Sequence, residues 1–76
     1  MMTKEQCKEV LEIIIGAYPN FLMGRDPKIV LNSWHRVLKN SSYEDTLDNV
    51  DNWIANEQNP PTLKNIIPFI GHQDNE

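Results

Sequence analysis

Cys7, His35 and His72 are the side chains best suited to nucleophilic or proton-transfer chemistry, and the sequence keeps them apart. A nucleophile works only with a base in hydrogen-bond reach and a third group to orient that base. Cys7 falls on the apolar face of an N-terminal helical pattern, His35 lies in a second such pattern, and His72 sits near the C-terminal end. Cys7 therefore reads as a small buried hydrophobe. No Cys/His pair has metal-ligand spacing, no acidic loop carries the glycine of a calcium loop, and no glycine-rich phosphate loop occurs. Glu44, Asp45, Asp48 and Asp51 could pair as acid and base. On a helical projection, however, they spread over the side opposite Leu47 and Val50, where water screens them. The residues point to a protein with no catalysis, no metal and no cofactor.

The elements that carry these residues read as helices. Thr3-Lys4-Glu5-Gln6 is a capping box, and Cys7, Val10, Leu11, Ile14 and Tyr18 follow at helical spacing, with Ile13 and Ile15 widening the stripe. Pro19 ends this helix. Phe21, Leu22 and Met23 are expected to fold back over the core, since three consecutive large apolar residues are costly to leave in water. Asp26-Pro27 forms an N-cap with proline at the first helical position, and Val30, Leu31, Trp34, Val37 and Leu38 give a second amphipathic helix. Ser42 caps a third, whose apolar face is Tyr43, Leu47, Val50 and Ile54. Asn59-Pro60-Pro61 terminates it, and Thr62 caps a short fourth segment over 63–67. Strand alternation, hairpin turns and internal repeats are absent from the sequence. The expected fold is all-α: a small bundle of three main helices plus a short C-terminal helix over residues 1–70, with a fraying end at 71–76. Its core should be Leu11, Ile14, Tyr18, Trp34, Leu38, Leu47, Val50 and Ile54.

Seventy-six residues, 39% of them apolar, are enough for one small domain and too few for two cores. A lone cysteine excludes an internal disulfide and fits a reducing compartment. The longest apolar runs, Ile13-Ile14-Ile15 among them, have three residues, far short of the roughly 20 that cross a bilayer, and Met1 to Glu5 lacks a signal-peptide core. A cytoplasmic protein without membrane contact is expected.

The charge is arranged in two blocks. The net is −4, but Arg25, Lys28, Arg36 and Lys39 face only Asp26, whereas Glu44, Asp45, Asp48, Asp51 and Glu57 have no basic residue among them. The basic segment 26–39 allows one alternative function, a helix-turn-helix-like DNA-binding regulator. Against it, Trp34 projects to the centre of the apolar face, and the acidic helix nearby repels phosphates. Two residues stand off their apolar stripes. Ile29 projects away from the second helix's stripe, and Trp53 lies at the margin of the third's, where it either closes the core or stands partly exposed. Ile29, Trp53 and the carboxylates Glu44, Asp48 and Asp51 are therefore the candidates for contact with a partner.

Several elements in this order resemble a known family. Ala17-Tyr18-Pro19 closes helix one, Trp34-His35-Arg36-Val37-Leu38 lies in helix two, and Tyr43 with Leu47, Val50 and Ile54 lines helix three. Pro60-Pro61-Thr62-Leu63 then precedes Ile66. From about Thr3 to Ile67 the pattern resembles the N-terminal domain of the phage replicative-helicase loader and inhibitor family. The resemblance implies a helical phage replication protein in a bacterial host cell that binds a DnaB-type helicase, or acts with its loader. It would hold back the helicase's ATPase and DNA loading and pass it to an origin-bound initiator. Tyr18, Trp34, Leu38, Tyr43, Val50, Ile54, Pro61 and Thr62 match the pattern, each with a structural job as core or cap. Asn59 replaces an aromatic residue and Lys64-Asn65 an acidic one. In the family a long disordered tail, to which helicase contact is attributed, follows the helical domain.

Overall fold

In the computed structural model, which describes residues 1–68, hydrogen bonds at the helix ends fix where each element starts. α1 spans Lys4–Ala17. Its capping box is reciprocal: the Gln6 amide donates to Thr3 Oγ1 at 3.1 Å, and the Thr3 amide donates to Gln6 Oε1 at 3.0 Å. The Tyr18 amide closes the last turn on the Ile14 carbonyl at 2.8 Å, and Pro19 then prevents continuation. Three overlapping turns carry the chain from Tyr18 to Arg25. Gly24 takes φ +77 there, a conformation that strains residues with a Cβ.

α2 spans Pro27–Leu38, with Asp26 Oδ1 accepting from the Lys28 amide at 2.9 Å. α3 spans Tyr43–Asn56, with Ser42 Oγ accepting from the Asp45 amide at 3.2 Å. Glu44 and Asp45 occupy its first turn, where the helix dipole favours negative charge. α4 is the single turn Leu63–Ile66. At its start Asn65 Oδ1 accepts from both the Thr62 amide and the Thr62 hydroxyl, at 2.8 and 2.9 Å. Thr62 and Asn65 thus form a capping box at the start of α4, as Thr3 and Gln6 do at the start of α1.

The fold is all-α, with no strand among the described residues. α1 is the element against which both α2 and α3 pack, and α4 packs on α3. Burial follows helical spacing. Cys7, Val10, Leu11 and Ile14 come from α1, Val30, Trp34 and Leu38 from α2, Val50 from α3 and Ile66 from α4. Phe21 meets Trp34 edge-on, with ring centroids 5.5 Å apart and planes at 76°, the geometry that aromatic quadrupoles favour. Trp34 keeps only 7% of its surface exposed. Leu47 and Ile54, expected in the core, are half-buried and pack along its margin.

Some apolar residues lie elsewhere than the periodicity suggests. Met23, expected to fold over the core, is 74% exposed, because Phe21 and Leu22 already cover that edge and the turn aims Met23 outward. Val37 is 49% exposed. Val30, Trp34 and Leu38, four residues apart, set the inward line of α2, and Val37 sits about 100° behind Leu38. Ile13 is 38% exposed at the rim of the α1 stripe.

Met2 and Thr46 are among the buried positions that escape the periodic pattern. Met2 is buried, its amide donating to the Lys39 carbonyl at 2.9 Å, so the residues ahead of α1 are strapped to the end of α2. Thr46 is buried with its hydroxyl donating to the Ser42 carbonyl at 2.8 Å, which satisfies its polar group inside the helix. The sequence end expected to fray, 71–76, lies outside the described residues.

Candidate partner interface

Tyr43, Asn49 and Trp53 of α3 commit their donors within the molecule, while its carboxylates stay in solvent. Trp53 Nε1 donates to the Asn59 carbonyl at 2.7 Å, and Tyr18 Oη donates to the Glu57 carbonyl at 2.8 Å. Together they hold the chain that leaves α3 and approaches Pro60-Pro61. Asn49 Nδ2 donates to the Ile66 carbonyl at 3.0 Å, satisfying an end of α4 that the helix itself leaves unpaired. Tyr43 Oη donates to Glu9 of α1. Glu44, Asp48 and Asp51, the carboxylates offered as partner contacts, are exposed to solvent. Trp53, offered with them, is half-buried and brackets a loop.

α2 has the opposite character. Ile29 is 63% exposed, and on a helical projection it continues through Ser33 to Val37 as one ridge at four-residue spacing. Beside this ridge lies an open groove of about 370 Å³, lined by Arg25, Asp26, Ile29, Val30, Ser33 and Trp34. Its floor is apolar. Arg25 stands at the lip with its guanidinium carbon 5.7 Å from the centre of the Phe21 ring, within cation–π range. Phe21 in turn is braced on Trp34. Ile29 and Trp53 line separate depressions, since Trp53 belongs to a polar hollow of about 260 Å³ with Asn49, Asn52, Asn56, Glu57 and Asn65. The sequence thus offered five contact candidates that the fold does not gather into one patch. Arg25 escaped the sequence reading as a site residue. Its signal was a basic residue just ahead of an Asp-Pro cap, meaningful only once Phe21 is known to lie beneath it.

A second groove, of about 400 Å³, runs between α1 and α2. Leu11, Ile15, Leu22 and Leu31 form its floor, and all four pack into or against the core. Its rim carries Lys8, Lys28 and Glu12, so the charges there partly offset one another.

The groups with catalytic potential are held in structural roles. Cys7 is buried, and burial pushes its thiol above the ordinary value, away from the reactive thiolate. His35 Nε2 lies 3.2 Å from the Met2 carbonyl; because a carbonyl only accepts, the ring donates from Nε2. His72 lies outside the described residues. Among the described residues no three metal-ligating side chains cluster, and no helix is long and apolar enough to cross a membrane.

One solved structure matches the chain closely in shape: a truncated variant of the gene 39 product, the helicase loader/inhibitor protein of the B. subtilis phage SPP1. The TM-score is 0.79 at 24% sequence identity, covering 87% of this chain and 98% of that one, which establishes a shared fold. Among curated proteins, none matches the chain. The family model that describes the N-terminal domain of the gene 39 product matches residues 2–67, which takes in all four helices and the Met2 strap. This chain therefore belongs to the family of gene 39 product N-terminal domains.

Proposed function

We propose that this chain is a non-catalytic phage replication protein that binds a replicative DnaB-type helicase, or acts on its loader, and so inhibits or loads it. It would work in the cytoplasm of a bacterial host cell. The observation that carries this reading is the family match over residues 2–67, together with a fold shared with a helicase loader/inhibitor. The architecture supports a binding role. Cys7 is buried and His35 is tied to backbone, while exposed apolar and charged side chains remain on α2 and α3.

The alternative of a DNA-binding regulator using the 26–39 segment has less support. Trp34 and Leu38 face the core, so only the outer side of α2 is free, and the acidic α3 belongs to the same small body.

The test is co-migration of the purified chain with a DnaB-type helicase on a sizing column without DNA, paired with the helicase's ATPase rate. A complex that changes the ATPase rate is expected. Absence of both would reject the proposal. DNA binding that collapses steeply with salt, without any helicase complex, would favour the regulator instead.

A further inference from the structure

We draw no further inference here: the strongest candidate, the apolar ridge of Ile29 and Val37 on the outer flank of α2 with the open groove beside it, carries nothing because the one arginine and one aspartate lining that groove favour no occupant and nothing in the structure shows what covers it.

Discussion

α2 and α3 pack against the same helix but use their side chains differently. On α3, Trp53, Asn49 and Tyr43 all give their donors to other parts of the molecule: the loop at Asn59, the end of α4 at Ile66, and Glu9 of α1. Its exposed surface is left to carboxylates, which water solvates well. On α2, the residues on the ridge make no such bonds. Ile29 and Val37 stay in solvent, and just ahead of the helix Arg25 lies within cation–π range of the Phe21 ring. Carboxylates that water already solvates must give up that hydration to meet a partner, whereas an apolar ridge gains by every square ångström it removes from water. On this comparison the outer flank of α2, where Ile29 and Val37 stay in solvent, is the surface we expect a partner to cover, whereas α3 holds the C-terminal part of the domain in place.

The contrast can be broken from its shared foundation outward. Trp34→Ala removes the floor under the α2 groove and the partner of Phe21. It should cost roughly 3–5 kcal/mol, a large share of the stability of so small a domain, and denaturant melts read it directly. Parental stability in that variant would mean the core is built differently.

Trp53→Phe is the sharper cut. It keeps a ring at the margin of the core but removes the Nε1 donor that holds Asn59, so a loss of about 1 kcal/mol is expected. An unchanged melt would mean that the loop is held without it. Ile29→Ala should change stability by less than about 0.5 kcal/mol, since the side chain is exposed. The pair Trp53→Phe and Ile29→Ala thus separates a residue that works inside the molecule from one left free of it.

The smallest expected effect concerns pH. Tyr43 has its phenol pushed above the ordinary tyrosine value, first by the hydrogen bond it donates to Glu9, then by desolvation and the charge of that carboxylate. A group whose pKa is higher folded than unfolded contributes stability at pH below its unfolded value. That contribution is lost as pH rises through the alkaline range above about 10. Parent and Tyr43→Phe melts should therefore converge as pH climbs past that point, and a constant gap would contradict the Tyr43–Glu9 bond.

Much of this was legible from local chemistry. Thr3 with Gln6, Asp26 with Pro27, and Ser42 with the acids behind it each mark a helix start whose hydrogen bonds need no distant residue. Trp34 was legible as core because helical spacing puts it in line with Val30 and Leu38. What stayed hidden depends on where the chain returns. Met2 is buried only because the end of α2 comes back to meet it, and Met23 is exposed because Phe21 takes the space first. Trp53 at the stripe margin allowed two readings until the loop carrying the Asn59 carbonyl was in place. The five contact candidates come from single helices taken one at a time, and periodicity within a helix does not say which flank faces a neighbour.

Amide hydrogen exchange of the full chain, alone and with an excess of a partner bound to the helical domain, tests the central claim most directly. Slowed exchange across residues 25–37, with 44–51 unchanged, is the result expected of a partner seated on α2. Slowed exchange over 44–51 with 25–37 unaffected would place the partner on the acidic helix and contradict the account.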